Sequence, residues 1–168
     1  MTQETVSLAS SAKTAFYALI NNPFKFRLFL LQKLPAAYFS GLKIKELNDH
    51  LCAVTVPYKW FTKNPFRSTY FACLSMAAEM STGVLAMANT YQRKPAVSML
   101  VTGLEANFYK KAVAETRFIC EGGIEIEEAI AKAIALDLPQ VVKLRSSGYN
   151  AANELVAEFY ITWSFKAK

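Results

Sequence analysis

The chain has 168 residues, of which 53% are hydrophobic and only 19% charged, and its net charge is +6. This length is typical of one domain and can bury a core without disulfides or a metal. Ordinary proteins are about 45–50% apolar and about 25% charged, so the apolar excess predicts an extra buried surface, such as a subunit interface or a ligand pocket. The positive charge suits an anionic ligand, a nucleic acid or an acidic membrane surface without choosing among them.

The cysteines and the single histidine argue against a disulfide framework and a metal site. Cys52, Cys73 and Cys120 are odd in number and irregularly spaced, which is typical of a reducing compartment. There is no CxxC pair, so a Cys/His metal site lacks its ligands and no metal is predicted. The first thirteen residues hold an acid and several polar residues before any apolar run, unlike a signal peptide. We therefore expect a cytoplasmic protein.

Residues 1–40 are predicted to form a helical lead-in. One helical stretch covers Ser11–Ala18 and ends at the Asn21-Asn22-Pro23 break. A second covers Phe24–Leu34, with basic residues between three apolar positions that share one face: Phe24, Leu28 and Leu31. A basic amphipathic helix can lie on a membrane surface, but more often such a helix packs its apolar side on its own domain.

Two strands and a long helix follow. Leu42–Leu47 and Leu51–Pro57 are strand-like, and Asn48-Asp49 between them favours a tight hairpin. The helix spans about Ser68 to Tyr91, and Glu79 is its only charged residue. Twenty helical residues span about 30 Å, enough to cross a membrane, but a carboxylate in lipid costs at least about 2.5 kcal/mol. We therefore expect no stable membrane insertion, and a helix buried on most sides by a curled sheet.

The remaining sequence predicts four more strands and a short helix. A period of two from Leu100 to Tyr109 predicts the third strand, which we expect to pair with a fourth over Thr116–Cys120. Glu125–Asp137 is helical, with acids in its first turn.

Gln140–Ser147 and Leu155–Phe165 are the last two strands, and one side of the final strand is mostly polar, so we expect one face of the sheet to be wet. The whole pattern is α+β. It predicts a single domain over residues 1–168 with a six-stranded antiparallel sheet, a long helix after the second strand and extra helices at the N-terminus.

A sheet of this kind wrapped around one long helix between strands two and three resembles the hotdog fold. Hotdog acyl-CoA thioesterases of the phenylacetic-acid type carry Asn-x5-His-Gly-Gly-x6-Asp, and the same spacing here gives Asn64, Tyr70-Phe71-Ala72 and Glu79. The run NPFRSTYFACLSMAAEMSTGVLAM resembles an uncharacterised thioesterase-like branch of that superfamily, the DUF4442 type. The FRLFLLQKLPAAYFSG lead-in and the FYKKA turn resemble the same branch.

The resemblance implies a hydrolase acting on acyl-CoA or another acyl thioester. Glu79 would be the general base or nucleophile, and Asn64 would position substrate or water. Tyr70 stands in place of the family's histidine, and Phe71 would supply the backbone N–H that stabilises the oxyanion. A hydroxyl from the strand after the helix falls near Thr102. Coenzyme A enters only as part of the substrate, and no separate cofactor is implied.

Alternatives to the enzyme remain open in the sequence. Loss of the His-Gly-Gly motif favours a non-catalytic protein that binds a fatty-acyl or acyl-CoA ligand, whereas Asn64 and Glu79 at family spacing favour catalysis. Asn64 can also be a cap or turn residue before Pro65, and Glu79 can face a narrow strip of solvent. Nucleic-acid binding lacks an RNP, zinc or helix-turn-helix signature.

The resemblance also implies partners. Hotdog domains pair edge to edge with the active site at the subunit interface, so a homodimer or a dimer of dimers is expected. The phosphates of coenzyme A would suit a basic face, although an ordinary solvated surface explains each of these residues as well. Its members are Lys63, Arg67, Arg93, Lys94, Lys110 and Lys111.

Overall fold

The computed structural model describes residues 3–168, and their side chains from residue 12 onward. Three helices come first, namely α1 (Gln3–Ile20), α2 (Pro23–Lys33) and α3 (Pro35–Ser40). α1 extends beyond the predicted stretch, and α3 is a further turn and a half that no pattern predicted. The side chain of Asn22 caps α2 by accepting the N–H groups of Phe24 and Lys25.

α2 packs on its own domain, but not through the predicted face. Phe26 and Leu30 are buried, whereas Phe24, Leu28 and Leu31 are exposed, so the predicted apolar face is wrong. α2 carries apolar residues on two sides, both at the spacing of about 3.6 residues per turn. The contact with the rest of the fold selects one side, and periodicity within α2 cannot show which.

The sheet consists of β1 (Lys43–Leu47), β2 (Cys52–Val56), β3 (Val97–Phe108), β4 (Thr116–Cys120), β5 (Gln140–Tyr149) and β6 (Leu155–Ala167). The strand order is β1-β2-β4-β5-β6-β3, and every pair is antiparallel.

β3 pairs with β6, so the predicted pairing of β3 with β4 is wrong. The segment from β3 to β4 crosses the sheet instead of turning back as a hairpin. Thr69 holds it on the way, because the backbone N–H and the hydroxyl of Thr69 both donate to the carbonyl of Ala112, at 2.7 and 3.0 Å. This contact with the loop before the long helix therefore stabilises the crossing connection in place of a local hairpin.

The long helix α4 (Phe71–Thr90) forms the core of the fold. By length and composition it could cross a membrane, but 67% of its most apolar 18-residue window is buried inside the fold. Two side-chain bonds tie it to the sheet. Trp163 Nε1 donates to Thr82 Oγ1 at 2.9 Å, and the hydroxyls of Ser81 and Ser146 lie 2.8 Å apart. The predicted hotdog architecture is confirmed, with the long helix buried against the sheet.

A β-bulge interrupts β3 at Thr102. Val101 pairs with Trp163 and Gly103 pairs with Thr162, which leaves Thr102 without a partner. Residues that pair directly share a face of the sheet, so the alternation changes phase at the bulge. The unbroken period of two predicted from Leu100 to Tyr109 is therefore wrong before Gly103 and correct after it.

β6 has the predicted apolar face, with Phe159, Ile161 and Phe165 fully buried against the core. The opposite face of the sheet carries an ion pair between Lys143 and Glu105, whose charged atoms lie 2.6 Å apart. This face is in contact with water, as the alternating pattern predicted. The last helix, α5 (Gly123–Leu136), packs beside α4.

Candidate functional site

Glu79 lies half-buried in the middle of α4. Among the residues with described side chains, its carboxylate has no hydrogen-bond or ionic partner. Burial raises the pKa of this carboxyl above its ordinary value, because removal from water penalises the charged form. An unpaired, largely desolvated carboxylate is a stronger base than one in water, and such groups concentrate at functional sites.

Gly83 and Trp163 shape the space around that carboxylate. A Cβ atom at position 83 would lie 3.1 Å from Glu79 Oε1 and 3.4 Å from Trp163 Cζ2. Because Gly83 has no side chain, the Glu79 carboxylate has room beside the Trp163 indole. Trp163 is held in turn by Thr82, whose hydroxyl also donates to the backbone carbonyl of Glu79 at 2.9 Å.

Asn64 organises the loop before α4. Its side-chain oxygen accepts the N–H groups of Phe66 and Ser68, and its side-chain nitrogen donates to Ser68 Oγ at 3.1 Å and the Thr69 carbonyl at 3.4 Å. Arg67 in the same loop has a left-handed backbone with φ 59°. The turn role of Asn64 is therefore visible in the structure. Its predicted role toward a substrate stays a prediction.

The N-terminus of α4 points its free backbone donors out of the helix. Tyr70 is the N-cap residue, and its ring contacts that of Phe71 edge to face at 5.0 Å. The first donors of a helix have no partner within it. Cys73 N–H bonds back to the Tyr70 carbonyl, which leaves the N–H groups of Phe71 and Ala72 without a partner in the described part of the chain. These are donors of the kind that an oxyanion needs.

A cavity of about 340 Å³ lies between this helix end and the end of β3. It brings together Asn64 and Phe71, two of the predicted site residues, with apolar and basic neighbours. Tyr70 is adjacent but does not line it. The remaining lining residues are Ser68, Thr69, Leu74, Phe108, Tyr109, Lys110, Lys111 and Ala112.

Glu79 does not line that cavity. Eight residues separate it from Phe71, which corresponds to about 12 Å along the helix axis and about 80° around it. A single thioester carbonyl therefore cannot contact the Phe71 N–H and the Glu79 carboxylate of one chain together. The predicted site residues fall into two groups, one at the helix N-terminus and one at its middle.

Thr102 belongs nearer to the second group. It follows Val101, whose partner across the sheet is Trp163, the residue beside the Glu79 carboxylate. The Thr102 side chain is exposed, and its hydroxyl donates only a long bond of 3.4 Å to the Thr162 carbonyl. Whether this hydroxyl contacts a substrate stays a prediction.

The basic residues named from sequence differ in how they are engaged. Lys63 lies over the Tyr58 ring, Arg93 donates to the Asn89 carbonyl, and Lys110 pairs with Glu154 at 2.6 Å. Lys111 lines the cavity and has no acidic partner in the described part of the chain. Among residues 12–168, no three His, Cys, Asp or Glu side chains lie close enough together to hold a metal.

The sequence interpretation missed Gly83, Thr82 and Trp163. Gly83 is the one signal that was available in the sequence. A glycine inside a helix is unfavourable by about 1 kcal/mol relative to alanine. Its position one turn after the lone carboxylate therefore needs a reason. Thr82 and Trp163 are far apart in sequence, and nothing local connects them.

Residues 25–165 match the family of domains of unknown function DUF4442. The chain belongs to this family. No curated protein matches the sequence significantly.

Several solved structures are similar in fold to this DUF4442 domain. A protein of unknown function from Pseudomonas aeruginosa, described as a probable thioesterase, superposes with a TM-score of 0.74 at 18% identity, over 87% of this chain and 97% of its own. A thioesterase of Haemophilus influenzae gives 0.60 at 15% identity, over 83% and 88%. The PaaI protein from the phenylacetic acid degradation operon of Escherichia coli gives 0.60 at 12% identity, over 86% and 94%. At these identities the likeness shows the fold alone.

Proposed function

We propose that this protein hydrolyses an acyl thioester, with coenzyme A or another carrier as the leaving group and Glu79 as the catalytic base. One observation carries the proposal. The core helix contains a single carboxylate, which is largely desolvated, unpaired and given its space by Gly83. A purely structural helix would not keep such a group, because an unpaired buried charge destabilises the fold.

In this reaction Glu79 takes a proton from a water molecule, whose oxygen attacks the thioester carbonyl carbon. The negative charge that forms on the carbonyl oxygen is stabilised by the backbone N–H groups of Phe71 and Ala72 at the positive end of α4. The C–S bond then breaks. The thiolate leaves with the electron pair and is protonated, and the free carboxylic acid remains.

We infer that the complete site needs two copies of the chain. Phe71 and Glu79 lie about 12 Å apart along one helix. One substrate can contact both groups if the helix N-terminus of one copy faces the Glu79 of the other. The free edge of β3 supports such a pair. It is long and carries half-exposed apolar residues, among them Leu104 and Phe108, each 51% exposed. Uncovered edges of this kind are a liability in a monomer.

The test is an assay of purified protein against acyl-CoA substrates of graded chain length, with Glu79→Gln measured in parallel. Glutamine keeps the shape of the side chain and cannot accept the proton, so we expect at least about a 100-fold loss of kcat. The matched control is Glu128→Gln, because Glu128 is an exposed carboxylate on α5 with only a long i,i+4 contact to Lys132.

Full activity in Glu79→Gln would remove Glu79 from the mechanism. A protein that turns over no substrate of any length contradicts the hydrolase proposal as a whole. Circular dichroism of each variant shows that the fold is retained.

The second candidate is a non-catalytic acyl-binding protein. It is favoured by Asn64, whose amide is already used by its own loop, and by the bulk of Phe71 in place of a family glycine. Tight binding of acyl-CoA without turnover would support it over hydrolysis. A cytoplasmic location is part of the proposal in both cases, and it is supported by three cysteines that are all buried and free.

A further inference from the structure

The lead-in helices and the first strand enclose a second cavity, with a volume of about 350 Å³. This lies at the lower end of the range of about 300–1,000 Å³ that is typical of small-molecule sites. Its walls come from the end of α1, the first turn of α2 and the start of β1. None of its lining residues belongs to α4 or to the candidate active site.

The floor of this lead-in cavity is apolar. Ile20, Phe26 and Leu42 line it, and none is more than 5% exposed. Ile44 adds an apolar wall. Such a surface stabilises a ligand by about 25 cal/mol for each Å² of apolar area removed from water. A small, fully polar ligand would gain nothing from it.

The rim is cationic. Arg27, Lys43 and Lys45 line the cavity, and no carboxylate does. None of the three forms an ion pair within residues 12–168. The acid next to them in sequence, Glu46, accepts a hydrogen bond from Asn48 instead. Three positive charges without a counter-ion make this opening favourable for an anion.

Arg27 is the best placed of the three. It is half-buried, and its guanidinium lies 3.9 Å from the centre of the Tyr38 ring. Stacking on an aromatic face fixes the plane of the guanidinium and leaves its N–H groups at the edge, where a carboxylate or phosphate accepts two of them together. The helix N-terminus is not the source of this potential, because Asn22 already caps the first N–H groups of α2.

The sheet explains why consecutive residues of β1 reach the cavity. β1 is an edge strand that pairs only with β2, so its other edge is free. A bulge lies between Ile44 and Glu46. A bulge redirects the side chains around it, which allows Ile44 and Lys45 to line the same space.

We propose that the lead-in cavity binds a small amphiphilic anion, a molecule with a short alkyl tail and a single carboxylate or phosphate head. The tail lies on Ile20, Phe26 and Leu42, and the head pairs with Arg27 and the two lysines. This site is separate from the hydrolytic one, and the proposal does not depend on the hydrolase activity.

Titration of ¹⁵N-labelled protein, followed by NMR, tests the proposal. The probes are nonanoate and octyl phosphate, which carry the same octyl tail and differ in the head, with octanol as the neutral control and acetate as the control without a tail. We expect saturable shifts of the amides of Asn21, Arg27 and Lys45. Octanol should bind at least about tenfold more weakly, since it lacks the charge-assisted pair. Acetate should also bind at least about tenfold more weakly, because it has no tail to cover the apolar residues. The tighter of the two anions identifies the head group.

The variant Arg27→Gln/Lys43→Gln should weaken binding of the anion about tenfold or more. The matched control is Lys25→Gln/Lys33→Gln, which removes the same charge from exposed positions of α2 that do not line the cavity. Equal weakening in both variants, or equal binding of octanol, would overturn the proposal. Shifts confined to Asn64–Phe71 would assign the anion to the candidate active site and overturn it as well. The spectrum of each variant reports whether the fold is intact.

Discussion

The protonation of Glu79 makes the stability of the fold depend on pH. Its raised pKa means that the folded protein holds a proton on this group more tightly than the unfolded chain does. The neutral form is therefore the one that favours folding. Its contribution to stability is complete below the ordinary carboxyl pKa and is lost as the pH rises through the raised value.

From this follows a prediction for Glu79→Gln, which carries a permanent equivalent of the neutral form. The variant should have a higher free energy of unfolding than the parent at pH 8, and the difference should vanish toward pH 4. Urea unfolding at the two pH values measures it. A difference that grows toward acid pH would contradict the assigned direction of the shift. Glu128→Gln, at an exposed site, should show neither effect.

Lys111 is the residue at which the carrier of the substrate can be tested. It lines the cavity near the N-terminus of α4 without an acidic partner in the described chain. If it meets a phosphate of coenzyme A, Lys111→Gln should raise KM for an acyl-CoA several-fold. KM for the acyl-N-acetylcysteamine thioester, which has no phosphate, should stay unchanged. An equal rise for both substrates would mean that Lys111 acts on the acyl end or on the fold, and Lys132→Gln is the surface control.

At the scale of single residues, the spacing of the motif identifies candidate site residues in the chain. It does not predict the contacts that their side chains make. Asn64 and Phe71 line one cavity, because the short loop between them leaves few other arrangements. Their predicted roles toward a substrate stay predictions. Glu79 is on the expected helix, but its distance from Phe71 follows from helix geometry that the motif does not express. The engagement of the Asn64 amide by Ser68 and Thr69 depends on a turn shape that residue identity alone does not determine.

At the scale of the elements, the start of α5 packs closely against the turn between β1 and β2. Gly123 donates its N–H to the His50 carbonyl at 3.0 Å, and a Cβ atom at this position would overlap the backbone carbonyl of Asp49. The backbone of the turn between β1 and β2 therefore contacts the backbone at the start of α5. A second contact holds the same turn from α1, where Lys13 and Tyr17 both bond Asp49.

Gly123→Ala should accordingly destabilise the fold by about 1–3 kcal/mol or more, because backbone atoms must move to admit the methyl group. Thermal or urea unfolding measures the change. Gly103→Ala is the matched control in β3, since its new Cβ would meet only the movable side chain of Thr162 at 3.3 Å, and it should cost less than about 1 kcal/mol. Equal losses in the two variants would show that the Asp49 contact is not responsible.

Most elements were predictable because their patterns are local. β4 was predicted with its observed bounds, and α4 and α5 to within a few residues, since apolar periodicity and turn residues mark them. The pairing of β3 was not predictable in this way. It depends on the contact between Thr69 and Ala112, which are 43 residues apart. The bulge at Thr102 was missed, although Gly103 beside it is a residue that often marks a bulge in a strand.

At the scale of the whole molecule, the free edge of β3 is the surface through which we propose that two copies assemble. Leu104 lies on the side of β3 that faces the core, since it pairs with buried Ile161, yet it is 51% exposed. A second copy would cover it. We expect the protein to sediment with about twice the chain mass of 18.7 kDa, and Leu104→Lys to sediment as a monomer, because a charge at a paired edge opposes strand addition.

Leu138→Lys is the control for this experiment, since Leu138 is 58% exposed in the connection after α5. A wild-type monomer, or a dimer that persists in Leu104→Lys, would contradict assembly through β3. If the proposed site is shared between copies, the monomeric variant should also lose turnover.

The position of Trp163 also makes the site observable by fluorescence. The chain has two tryptophans, of which Trp60 is 88% exposed and Trp163 only 4% exposed. Trp60→Phe therefore leaves Trp163 as the single tryptophan, and the Trp163 ring lies beside the Glu79 carboxylate. A change of charge or the arrival of a ligand next to an indole alters its emission. The protein thus contains its own optical reporter for the protonation of Glu79, without an added label.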